Sequence, residues 1–182
     1  MPAVYVLLCL PVILLGRDWV DVLTIYINQG ETFRWLSGNA PNLYIFISNR
    51  YYQTGLWIGL VIAFIGTCTW IAVTALRNKT FNRDQLALTA LVSVSLLPFL
   101  LPKMHERYFY PADVFSLVIA FFFPEMWFVP LAYQMLSGLA YTVYMTHAPL
   151  INVEIGAITN LCIVAFLLWK QFQRPQKIEP EQ

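Results

Sequence analysis

Long apolar runs alternate with short polar knots along this chain. Gly55–Leu76 carries no charge and can cross a bilayer as a helix, which takes about 20 apolar residues. Gln85–Leu101 is the next charge-free run. Val114–Phe123 is shorter and ends at Pro124-Glu125; Trp127–Met145 and Ile155–Trp169 follow. Ala3–Gly16 is also apolar, but at about 14 residues it is short for a span, and Pro11 is expected to interrupt it. No basic segment precedes it and no small-x-small cleavage site follows, so it reads as the tail of a transmembrane helix rather than a signal peptide. The pattern predicts an all-α, polytopic helical transmembrane protein over residues 1–170, with about six membrane segments, some short or re-entrant. Residues 171–182 are polar and are expected to be a disordered cytoplasmic tail.

The polar connections are uneven. Residues 17–54 form the longest, too long and too aromatic for a simple connector. Within it Trp19, Val22, Leu23 and Tyr26 recur at helical spacing, as in a helix lying on a membrane surface. Gly38, Asn39 and Pro41 mark a turn. Trp19, Trp35 and Tyr44 are expected to anchor the chain at the membrane interface. Gln134, Ser137 and Gly138 on the Trp127–Met145 segment suit close helix packing.

Composition agrees with a membrane protein: 59% of residues are hydrophobic and 12% charged, with a mean hydropathy of +0.61, where soluble domains carry about twice that charge. The net charge of +1 gives no reason to expect a nucleic-acid partner. Cys9, Cys68 and Cys162 all lie inside apolar runs, without CxxC spacing or histidine neighbours. They are expected to be buried packing residues, with no disulfide and no metal site.

Basic residues give a direction. The Arg77–Arg83 loop and the Lys170–Lys177 tail hold the densest clusters and are assigned to the cytoplasm. Alternation then places loop 17–54, Pro102–Asp113 and Thr146–Glu154 together on the opposite face. The Asn78-Lys79-Thr80 sequon falls on the cytoplasmic side and is discounted.

Pro102–Asp113 is the densest chemistry. It packs Lys103, His105, Glu106, Arg107 and Asp113 between two apolar runs, where ionisable groups pair with each other or line a polar cavity. Pro102 and Pro111 argue against one helix through it. An extended backbone would put Lys103, His105 and Arg107 on one side, a donor-rich face suited to phosphate, with Glu106 on the other.

These residues resemble one family. Asn39-Ala40-Pro41-Asn42-Leu43-Tyr44, the run Met104-His105-Glu106-Arg107-Tyr108 with Pro111-Ala112-Asp113, and Gln134 with Ser137 and Tyr141 are similar to bacterial relatives of the second mannosyltransferase of GPI-anchor synthesis. Those enzymes belong to the GT-C superfamily of polytopic glycosyltransferases, and the resemblance covers the chain from about Pro11 to Trp169. It implies an integral-membrane enzyme of the bacterial inner membrane. That enzyme would transfer a sugar from a polyprenyl-phosphate donor at the extracytoplasmic face. Lys103, His105, Glu106, Arg107, Asn39 and Asn42 would serve the donor phosphate or the substrate, and no metal or other cofactor is implied. It also implies that this chain corresponds to the C-terminal half of such an enzyme. The catalytic acidic residue would then lie on an external loop of an N-terminal half, so Asp18 and Asp21 do not take that role.

Other readings stay open on the residues alone. The His-Glu-Arg cluster could be a relay in a transporter or channel subunit, or the chain could be a non-catalytic fragment. Glu106 could pair structurally, Lys103 could snorkel to headgroups, and Asn39 and Asn42 could simply form and brace the turn. His147 stands alone, which argues against a metal role.

Overall fold

The computed structural model describes residues 2–25, 33–77, 80–146 and 151–173. Tyr26, the Gln29–Thr32 stretch, Asn78 and Lys79 of the sequon, His147 and the tail from Arg174 lie outside these. The chain divides into two compact units, Met1–Arg34 and Trp35–Gln182.

In the first unit, α1 (Pro2–Leu14) runs through Pro11 without a break. The expected interruption is absent, and Leu15 N–H returns to the Pro11 carbonyl at 3.1 Å. α2 is short, Trp19–Leu23, and is started by Asp18, whose carboxylate accepts from Val20 N–H at 2.7 Å. The Tyr5 hydroxyl donates to the Val22 carbonyl at 3.0 Å and ties the two helices together.

The second unit is a helical bundle built on α3 (Tyr52–Arg77), α4 (Arg83–Leu100), α5 (Tyr110–Phe122), α6 (Phe128–Thr146) and α7 (Val153–Gln173). Sequence sets each start. Asn82 and Gln85 form a reciprocal capping box on α4, which satisfies two otherwise orphaned N–H groups. Pro111 opens α5 rather than ending it, because the first helical positions need no N–H donor.

α4 lies centrally, packed on α3, α5 and α7, while α6 closes against α5 and α7. Leu88, Leu91, Val92, Leu96 and Phe99 of α4 meet Ile119 of α5 and Phe123 just after it, Val129 and Tyr133 of α6, and Ile163, Val164 and Leu167 of α7 in one core.

Among the described residues, three helices are long and apolar enough to cross a membrane: α3 with its lead-in from Asn49, α4 and α7. The chain is a membrane protein on that ground. The expected number was about six. α1 and α5 have 13 residues each, roughly 20 Å of helix against a hydrocarbon core of about 30 Å. α6 is longer but carries Gln134, tyrosines and hydroxyl residues. The cysteine reading holds only for Cys9; Cys68 and Cys162 are exposed on the outer faces of α3 and α7, where apolar residues belong if lipid covers the surface.

The ends of the bundle differ in chemistry. At one, Arg77 donates to the Phe172 carbonyl at 2.9 Å and Lys170 pairs with Glu125 at 3.1 Å. Trp70 Nε1 donates to Gln171 at 2.9 Å. α7 thus continues past Lys170 as ordered helix to Gln173. At the other end, the start of α3 and the finish of α4 receive the segment Leu36–Phe46.

Candidate functional site

Two motif-bearing loops meet at that second end. β1 (Ser37–Gly38) and β2 (Met104–His105) form a two-residue parallel pair, with Gly38 opposite His105. Asn39 adds a bridge to His105, and Lys103 N–H donates to the Leu36 carbonyl at 2.8 Å. A Cβ on residue 38 would collide with the His105 ring, so glycine lets the imidazole lie against the backbone. Asn39 and Lys103 both hold positive φ, +56° and +63°. Asparagine adopts that conformation readily and lysine only rarely. Such strain persists where the surroundings impose it, and it clusters at functional sites.

The extended stretch stops at His105. Glu106–Phe109 is a 3-10 turn, so the expected alternation of Lys103, His105 and Arg107 along one face is broken. The turn drives Glu106 inward, 9% exposed, and leaves Arg107 on the surface. Arg107 has no ion pair among the described residues. The Lys103 ammonium sits 5.3 Å over the Tyr52 ring, a cation–π contact. His105 stands 6.2 Å from the Tyr108 ring, centroid to centroid.

The Asn39–Tyr44 element has a second task. Asn42 is fully buried. Its Oδ1 accepts from Tyr44 N–H at 3.1 Å and its Nδ2 donates to the Leu101 carbonyl at 3.3 Å. Both ends of the amide are therefore occupied, which fits the bracing reading. Tyr44 is not an interface anchor. It is 3% exposed, and its hydroxyl reaches the Leu100 carbonyl at 2.7 Å and the Gly59 carbonyl at 3.1 Å. Burial pushes its phenol above the usual value. A Cβ at Gly59 would lie 2.7 Å from the Tyr44 ring, so that glycine makes the seat. Trp19 and Trp35 are exposed, at 61% and 50%.

Behind the corner lies a narrow cleft lined by Pro41, Glu106, Tyr133, Ser137 and Asn160, among others. Asn160, fully buried on α7, donates to the Pro41 carbonyl at 2.8 Å, while its Oδ1 has no partner. The buried Tyr133 hydroxyl also lacks one. Ser95 is the side chain placed to hydrogen-bond it, outside ideal geometry, and the Asp113 carboxyl interacts with it electrostatically. Asp113 accepts from the Ser137 hydroxyl at 2.8 and 2.6 Å to its two oxygens. Burial pushes the Asp113 carboxyl above the usual carboxylate range, and the Ser137 hydroxyl offsets part of that rise.

The fold thus brings Asn39, Asn42, Lys103, His105 and Glu106 to one corner, with Arg107 on its outer side. Sequence reasoning missed Asn160 and Tyr133. Asn160 had a signal: it is the one amide inside the apolar run Ile155–Trp169, and a polar group there needs a partner. No known protein family, curated protein or solved structure matches the chain significantly.

Proposed function

We propose that this chain is part of an integral-membrane glycosyltransferase, mannosyltransferase-like, and that its His105–Arg107 corner holds the phosphate of a polyprenyl-phosphate sugar at the extracytoplasmic face. The observation carrying this reading is the joining of the two motif elements. Gly38 and Asn39 pair directly with His105, although some 65 residues separate them in sequence. The strained Lys103 backbone and the exposed Arg107 complete a donor-rich edge beside the bilayer surface.

The chemistry follows from charge. In sugar transfer the C1–O bond to the donor phosphate breaks and polyprenyl phosphate leaves with added negative charge. Arg107 offers a planar, permanently charged fork for two phosphate oxygens, and His105 adds an N–H donor. Donors fixed before reaction stabilise the charge that develops on the leaving group. The base that takes the acceptor proton is assigned, by the resemblance, to a partner segment outside this chain. On the alternation of basic loops, the corner faces away from the cytoplasm.

The test is transfer from a panel of polyprenyl-phosphate sugars, run with and without a supplied N-terminal half. Arg107→Ala and His105→Ala should abolish transfer while membrane insertion is kept. Normal activity in both refutes the assignment. Flux through liposomes without dependence on a lipid-linked sugar favours the transporter reading.

A further inference from the structure

At the end of the bundle where α7 finishes, the seam between α6 and α7 carries a ladder of aromatic rings. Trp127 stands edge-on to Phe128 with 6.4 Å between centroids. Phe128 reaches Phe166 across the seam at 5.2 Å, and Phe166 meets Trp169 at 5.8 Å. The ladder is not core: Trp127, Phe128 and Trp169 are all exposed. The ion pair between Lys170 and Glu125, 3.1 Å long, adjoins both of its ends. Glu125, on the turn Pro124–Met126, is two residues before Trp127, and Lys170 directly follows Trp169. Successive turns along the same faces stay apolar and exposed, with Leu131 and Met135 on α6 and Cys162 on α7.

Tryptophans at the end of a membrane bundle sit at headgroup depth, and the ion pair selects among headgroups. An anionic one would meet Glu125 with like charge, and a cationic one would meet Lys170 in the same way. Arg77 does not tip the balance, because it is held by the carbonyl and ring of Phe172, and residues two apart do not share a helix face. A headgroup carrying both phosphate and ammonium answers both charges. Lys170 spends one N–H on Glu125 and keeps others for phosphate oxygens. The half-exposed Glu125 carboxylate accepts from a primary ammonium, and the exposed indole faces attract the same cation. A trimethylated ammonium has no N–H to give. A soluble zwitterion would leave Leu131 and Met135 unused, whereas acyl chains would cover them.

We propose that this seam binds one phosphatidylethanolamine molecule, with its phosphate on Lys170, its ammonium at Glu125 beside Trp127 and Trp169, and its acyl chains along Leu131 and Met135. The site lies at the opposite end of the bundle from the His105 corner and does not depend on the proposed function.

The experiment is native mass spectrometry of the full chain in detergent. The chain is incubated with equal amounts of phosphatidylethanolamine, phosphatidylcholine and phosphatidylglycerol of identical acyl chains. Wild type should retain phosphatidylethanolamine about fivefold more than either other lipid, the ratio that one exposed charge contact and one cation–π contact together supply. Glu125→Gln should bring the three lipids to equal retention. Trp127→Leu should lower phosphatidylethanolamine retention about threefold. It leaves the ion pair in place, so it tests the site even where Glu125→Gln loosens the helix ends. Wild type that retains phosphatidylglycerol or phosphatidylcholine as well as phosphatidylethanolamine overturns the proposal. So does a preference for phosphatidylethanolamine that persists unchanged in both folded variants, since the lipid then binds elsewhere.

Discussion

Replacing Asn42 with alanine tests whether the motif segment is held by its own amide. Asn42 is fully buried and makes two bonds: Tyr44 N–H to its Oδ1 at 3.1 Å and its Nδ2 to Leu101 O at 3.3 Å. Alanine removes both and strands a backbone donor and a backbone acceptor. An unsatisfied buried group costs about 1–3 kcal/mol. The second bond is long, so its loss counts near the low end, and the sum is about 2–4 kcal/mol. For a chain of this size that corresponds to a fall in Tm of roughly 4–16 °C. Thermal unfolding in detergent, with reversibility checked, reads it directly. A loss below about 0.5 kcal/mol for Asn42→Ala, the range of ordinary surface substitutions, would refute the bracing role.

Two further predictions follow from the same contacts. Gly59→Leu places a side chain where the Tyr44 ring already sits, 2.7 Å from the new Cβ; overpacking of this kind costs about 1–3 kcal/mol. It should raise protease cleavage between residues 36 and 46, and unchanged cleavage would contradict the seat. Asp113 has its carboxyl raised by burial, so the folded state holds that proton more tightly than the unfolded chain. Its stability contribution is present below the unfolded value of 3.8 and is lost as pH rises from there through the raised folded value. Wild type should therefore lose stability relative to Asp113→Asn as pH climbs from 4 to 7 in unfolding measurements; a flat difference would rule this out.

Much of the bundle was legible because hydrophobic run length is a strong signal. Gly55–Leu76 and Ile155–Trp169 each fall within a spanning helix, and Gln85–Leu101 runs one residue past the end of another. The weaker segments were not separable by that signal, since α5 and α6 are apolar yet shorter or more polar than a span requires. The corner was legible as a cluster but not as a geometry. Only a pairing across some 65 residues decides that His105 is strand and Glu106 is turn, and no local pattern encodes that pairing. The inward turn of Glu106 also inverts the alternation that an extended chain would give. Tyr44 misled because an aromatic near a membrane border reads as an anchor, whereas Gly59 opens a buried seat for it. Neither Asn160 nor Tyr133 lies near the motifs in sequence; helix packing alone carries them to the cleft.

Photo-crosslinking from position 108 tests the central claim most directly. Tyr108 is half exposed beside Arg107, so benzoylphenylalanine can replace it without disturbing the buried residues. Illuminated with a labelled polyprenyl-phosphate sugar, it should crosslink the lipid. Excess unlabelled polyprenyl phosphate should compete, and Arg107→Ala should remove the signal. The same probe at Phe121, 89% exposed, reports nonspecific lipid contact. Labelling at 108 that equals labelling at 121 and ignores both competitor and Arg107→Ala would contradict a phosphate-holding corner.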